Sequence, residues 1–155
     1  MKRLICAALG CLLLLSGCSM SKPEKEVSFP ASATTQTLLD SGAFSEQLEE
    51  LDVDIAVMLF QLGGDVGEYE GSKVYYSTGA TAEIAAVISV RDKAGVPEVE
   101  AALKAWVESQ IAAEEGYRPA EVPKLENAIL ETRGSSVLLV VAADREKAAA
   151  AIPNE

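Results

Sequence analysis

The spacing of apolar residues changes several times along this chain, and each change marks a predicted element. Residues 4–15 are a near-continuous apolar run directly behind Lys2 and Arg3. Residues 19–33 hold Ser, Lys, Glu and two prolines with no apolar period, the composition of a tether. Residues 34–44 predict a helix, with Thr34 or Thr35 as cap, Leu38 and Leu39 inward, and Gly42 at or near its end. Residues 44–51 read two ways: Leu48 and Leu51 suggest helix, while the flanking segment suits an edge strand. Residues 51–62 also conflict. Leu51, Val53, Ile55, Val57 and Leu59 alternate as in a strand, yet Asp52 or Asp54 can cap a helix and Gly63-Gly64 is a strong stop. Ala56, Met58, Leu59 and Leu62 tilt the reading toward a short buried helix, with the strand left open.

Beyond the glycine pair the period becomes two. Residues 65–77 lead into a strand, favoured at Val74-Tyr75-Tyr76-Ser77, and residues 79–82 make a turn. Ile84, Ala86, Ile88 and Val90 then alternate with a mixed set, as in a strand covered on one side. After Gly95-Val96-Pro97 the period lengthens to that of a long helix. Val96, Val99, Leu103, Trp106, Val107 and Ile111 form its apolar stripe, and Gly116 ends it. Trp106 reads as the large core residue between helix and sheet, with ligand stacking the alternative. A short helix fits residues 120–124, between Pro119 and Pro123. Residues 127–133 and 136–142 read as a hairpin about Gly134-Ser135, its second arm apolar throughout and so buried on both faces. Asp144 caps a last helix with Ala148, Ala149 and Ile152 inward, and Pro153 stops it. The fold expected is α+β. A mostly antiparallel four-stranded sheet carries helices on one face, in the order strand-strand-helix-strand-strand-helix, after one or two short helices.

The N-terminal pattern changes the picture of where the chain works. Basic residues, a short apolar run and Leu15-Ser16-Gly17-Cys18 together read as a lipoprotein signal peptide over residues 1–17. The apolar run is shorter than the roughly 20 residues of a membrane-spanning helix. Cys18 is the expected lipidation site, residues 18–33 the lipidated cysteine and flexible tether, and residues 34–155 a single domain. The expected location is the cell membrane, lipid-anchored and facing outside the cytoplasm. Cys6 and Cys11 would leave with the signal, so no thiol is spare for a disulfide, a metal or catalysis. The chain has no histidine, the commonest general base and metal ligand. Loss of Lys2 and Arg3 on cleavage takes the net charge from −11 to −13. That balance argues against nucleic acid as a partner.

Several motifs then carry a resemblance. They are Leu59-Phe60-Gln61-Leu62, Val74-Tyr75-Tyr76-Ser77, Ala82-Glu83-Ile84-Ala85 and a strand ending near Asp92-Lys93. The long helix, Gly116-Tyr117-Arg118-Pro119 and the hairpin arm of residues 134–142 complete the set. Over about residues 59–152 the chain resembles small lipoproteins of Gram-positive, clostridial-type bacteria that share a domain of unknown function. The resemblance implies a lipid-anchored extracytoplasmic domain and transfers no activity.

For chemistry, no nucleophile elbow, glycine-rich nucleotide loop or zinc pattern is present. The first expectation is a non-enzymatic binding or accessory module of the cell envelope, with no catalytic residue, metal or cofactor. Its partners would be the membrane, through the lipid on Cys18, and an envelope protein or peptide. Glu83, Tyr75 and Tyr117 are the candidate ligand-binding residues, although Glu83 also reads as an exposed strand end. The alternative is a carboxylate-dependent cell-wall hydrolase drawing on Glu68, Glu70 and Glu83 near Tyr69 and Tyr75. Two further readings are a calcium site at Glu49, Glu50, Asp52 and Asp54, and a subunit that pairs through a sheet edge or an uncovered strand face.

Overall fold

The computed structural model describes residues 27–79 and 81–154. The expected signal peptide and Cys18 lie outside them. Five strands form one antiparallel sheet: β1 (Glu49–Leu51), β2 (Lys73–Tyr76), β3 (Ile84–Ser89), β4 (Ile129–Arg133) and β5 (Ser136–Val141). Their spatial order is β1-β2-β3-β5-β4, so the two most apolar strands are central. Five α-helices surround it: α1 (Ala31–Asp40), α2 (Val53–Leu59), α3 (Val96–Tyr117), α4 (Val122–Glu126) and α5 (Arg145–Ala151).

Two expectations about the sheet are corrected. It has five strands rather than four, because residues 49–51 pair with Val74, Tyr75 and Tyr76 as a short edge strand. The alternation that continued into residues 53–59 belongs to α2, which follows Asp52 directly. The helices also cover both faces instead of one. On one side Ile84, Ala86, Ile88, Val137, Leu139 and Val141 pack against α2, α3 and α4 through Phe60, Leu103, Trp106 and Leu125. On the other, Ala85, Val87, Leu138 and Val140 meet α1 and α5 through Leu38, Ala148 and Ile152. The second face of β3 looked mixed because it offers an alanine and a valine. Small side chains there allow a helix to approach the sheet closely, and both are fully buried. The central strands β3 and β5 are thus buried on both faces, while the edge strands β1 and β4 keep exposed residues.

The domain begins earlier than expected. Phe29 is buried, its N–H donates to Ser136 Oγ at 2.8 Å, and the Arg133 guanidinium lies 4.1 Å over its ring. Ser28 Oγ accepts from the Ser135 N–H at 2.8 Å. Helix α1 starts at Ala31, inside the segment read as tether, so Thr34 and Thr35 are buried mid-helix residues and not caps. Ala149 is exposed, whereas Ala148 and Ile152 face inward as expected. Asp144 does cap α5, accepting from the Lys147 N–H. Residues 65–69 do not lead into a strand. Asp65 and Glu68 form a capping box around a 3₁₀ turn over Val66–Tyr69.

Turn chemistry sets two junctions. Strands β4 and β5 are joined by the two residues Gly134-Ser135, with Gly134 at φ 56°, a conformation that suits glycine first in a tight hairpin loop. Helix α2 ends differently. Gln61 holds φ 53°, and the Leu62 N–H reaches back to the Val57 carbonyl at 3.0 Å. This is the closing geometry in which glycine usually stands. The left-handed region costs an L-residue about 1–2 kcal/mol, partly offset by the chain entropy glycine gives up. Gln61→Gly is therefore expected to stabilise the fold by about 0.5–1 kcal/mol, read as a higher urea midpoint at unchanged slope.

Candidate functional site

Strands β2 and β3 are connected around residues 77–83, at one end of the sheet. Three carboxylates from separate parts of the chain converge on this connection. Glu83 is 0% exposed. It accepts from the Ser45 N–H at 2.8 Å, the Ser45 hydroxyl at 2.6 Å and the Lys124 ammonium at 2.8 Å. Glu121, just before α4, accepts from the Ala82 N–H at 2.9 Å and from Lys124. Glu46, in the loop after α1, accepts from the Ser77 hydroxyl and, at 2.8 Å, from the Thr81 hydroxyl. Arg118 closes the cluster, bridging the buried Glu114 and the Gly79 carbonyl. The expectation of an exposed strand end at Glu83 is thus overturned. A polar side chain at a strand terminus is ordinarily solvated, but here a loop and a short helix fold over it.

The electrostatics follow from these contacts. Hydrogen bonds from Ser77 and Thr81 outweigh the effect of burial and hold Glu46 below the usual 4.5. Arg118 likewise keeps Glu114 below it. Burial pulls the Lys124 ammonium down, but the bonds it donates to Glu83 and Glu121 prevail and hold it above 10.5. Because the carboxylate values are depressed in the fold, their contribution is complete above the unfolded value and disappears as pH falls through the folded one. Urea midpoints should therefore be flat from neutral pH down to the usual value of 4.5 and fall below it. A midpoint that rose on acidification would contradict this.

Beside the clamp lies a groove of about 360 Å³ between the C-terminal half of α1, the following loop and β2. Leu39, Phe44, Leu48 and Tyr75 supply its apolar surface, and Gln36, Asp40, Glu46 and Gln47 its polar groups. The Gln36 amide donates to both Asp40 carboxylate oxygens at 3.1 Å. Tyr75 is partly buried, and burial, then Glu50, raises its hydroxyl pKa. Glu83 fixes this groove indirectly, since it anchors Ser45, next to the lining residue Glu46, which Ser77 and Thr81 hold in turn.

The three candidate ligand residues share this end of the molecule but do not form one site. Tyr75 is in the groove. Glu83 lies behind the groove wall. Tyr117, 77% exposed at the end of α3, is on the other helical layer, with the Arg118 guanidinium 5.4 Å from its ring centre. The carboxylates of the hydrolase reading are further apart. The Arg91 N–H bonds the Glu68 carbonyl, so Glu68 and Glu70 stand at the opposite end of β3 from Glu83, roughly 20–25 Å by strand rise. Among the described residues no group of three or more Asp, Glu, His or Cys is arranged to hold a metal ion. In the acidic stretch of residues 49–54, Glu50 pairs with Lys73 and Asp54 accepts from the Ile55 N–H. Sequence reasoning missed Ser45, Glu46, Glu121 and Lys124. The spacing of Glu121 to Lys124 and of Glu114 to Arg118 was a signal for ion pairs on helices, but not for their convergence on a turn.

No curated protein and no solved structure matches the chain. A family model described as Domain of unknown function (DUF4358) matches residues 41–142. That span holds all five strands, the α2–α4 layer, the carboxylate clamp and the loop and tyrosine of the groove, while α1 and α5 lie outside it. With most of its length matched, the chain belongs to the family of the DUF4358 domain of unknown function.

Proposed function

We propose that this protein is a lipid-anchored, non-enzymatic binding module of the cell envelope, held by Cys18 and working through the groove beside Tyr75. One observation carries the reading: the groove lies at the opposite end of the sheet from the point where the chain enters the fold. Ser28 and Phe29 are tied to Ser135 and Ser136 at the start of β5, whereas Tyr75 pairs with Ala85 near the far end of β3. A tether leaving from Val27 would point the groove away from the lipid. The acidic surface would repel anionic headgroups and keep the domain standing off. The clustered carboxylates also suit this reading better than catalysis. Glu83, Glu121 and Glu46 are each committed to groups of their own chain, as parts of a clamp would be.

The test has two arms. Fatty-acid labelling in cells should mark the wild type and not Cys18→Ala; label in both would remove the anchor. A photo-crosslinking residue at Gln47, on the groove wall, should capture an envelope component from intact membranes, and one at the exposed Glu108 of α3 should not. Equal capture from both positions, or none from Gln47, would count against the groove.

A further inference from the structure

We propose that the groove between α1 and Tyr75 takes an alkylammonium group, the lysine side chain of a peptide segment. This rests on the reading of the groove as the binding surface and adds the chemistry of what enters it. The apolar part of the lining (Leu39, Phe44, Tyr75) offers a path for a methylene stem, and two of these residues are aromatic, the side chains a cation prefers as apolar neighbours. The polar part carries negative charge with no cation of its own, since neither Lys nor Arg lines the groove. Asp40 is met by the neutral Gln36 amide, and Glu46 by the neutral hydroxyls of Ser77 and Thr81. Of the basic residues nearby, Lys124 behind the wall is taken by Glu83 and Glu121, and Lys73, beside Tyr75, by Glu50.

The geometry also favours ammonium over guanidinium. A guanidinium fork binds best to both oxygens of one carboxylate. Both hydroxyls fall on Oε1 of Glu46, and Gln36 already spans both oxygens of Asp40. A compact ammonium needs only single acceptors, and Glu46 Oε2, which neither hydroxyl meets, offers one beside the charge of Asp40. A sugar amine lacks the methylene stem that the apolar lining would cover.

The test is a backbone NMR titration of the full chain in detergent micelles with four probes: Nα-acetyl-lysine amide, its uncharged norleucine counterpart, Nα-acetyl-arginine amide and glucosamine. The lysine probe should shift the amides of residues 44–48 and Tyr75 saturably. Binding should weaken about three- to fivefold in Asp40→Asn, a change at an exposed position, and should weaken again in high salt. Equal shifts with norleucine, insensitive to salt, would overturn the charge inference and leave the groove as an apolar binding surface. Tighter binding of the arginine probe would overturn the preference for ammonium. Glucosamine binding in place of lysine would reassign the ligand to an amino sugar. No shift with any probe, while Gln47 still captures a partner, would sink this inference alone. No shift and no groove-specific capture would remove both readings.

Discussion

Replacing Lys124 by methionine is expected to lower the unfolding free energy by about 3 kcal/mol, near the lower end of what breaking a buried ion pair costs. The reason is what stays behind. Methionine keeps most of the length of the side chain, but Glu83 then remains 0% exposed with no opposite charge beside it. Its two Ser45 bonds persist and limit the loss. Glu83→Gln should be milder, about 1–2 kcal/mol, because the amide retains an acceptor for Ser45 while Lys124 keeps Glu121. The double variant should cost at least 1 kcal/mol less than the sum of the two singles, since each removes the partner the other left unpaired. Urea unfolding of the four proteins tests this. Strict additivity, or a Lys124→Met midpoint equal to wild type, would mean that the end of the sheet is open to water and the clamp holds nothing.

That clamp also marks where the sequence stopped being readable. Strands β3 and β5 were legible because their burial is written locally, as alternation in one and continuous apolarity in the other. The stripe on α3 was legible for the same reason: Val96, Val99, Leu103 and Trp106 recur at helical spacing, and all are buried. Glu83 was different. Its burial depends on Ser45, 38 residues earlier, and on Lys124, 41 residues later. No local pattern records such a meeting, so a glutamate at a strand start took the default reading of an exposed end. The groove was hidden similarly, because residues 36–48 and Tyr75 become neighbours only when α1 lies across the sheet. The second helical layer was missed at Ala85, whose small side chain is a weak hydrophobic signal but the surface a closely packed helix requires.

Trp106→Ala is expected to be the most damaging single change in the helical layer, at about 4 kcal/mol. Trp106 is 6% exposed and stands between two rings: Phe60, edge-on at 5.3 Å and 83°, and Tyr76 at 6.4 Å and 72°. Truncation removes the transfer energy of the indole together with both edge-to-face contacts, each worth about 0.5–1.5 kcal/mol. A groove of about 260 Å³ runs along its outer side, floored by Phe60 and Trp106 and edged by Ala102, Ala105 and Ser109. The cavity left by alanine therefore opens to water instead of staying dry and empty, and this holds the cost within the ordinary range for aromatic truncation. Trp106→Phe should cost less than half as much, since one ring still reaches Phe60. The experiment separates the two roles a lone tryptophan beside a groove can have. If Trp106 is the keystone between α3 and β2, thermal unfolding followed by far-UV circular dichroism should move down by about 10 °C or more in the alanine variant, with any loss of partner capture following the loss of fold. If instead it serves mainly to stack a ligand, the melting temperature should stay put and only capture should fail. Its contacts with Phe60 and Tyr76, at right angles and deep in the layer, favour the first outcome.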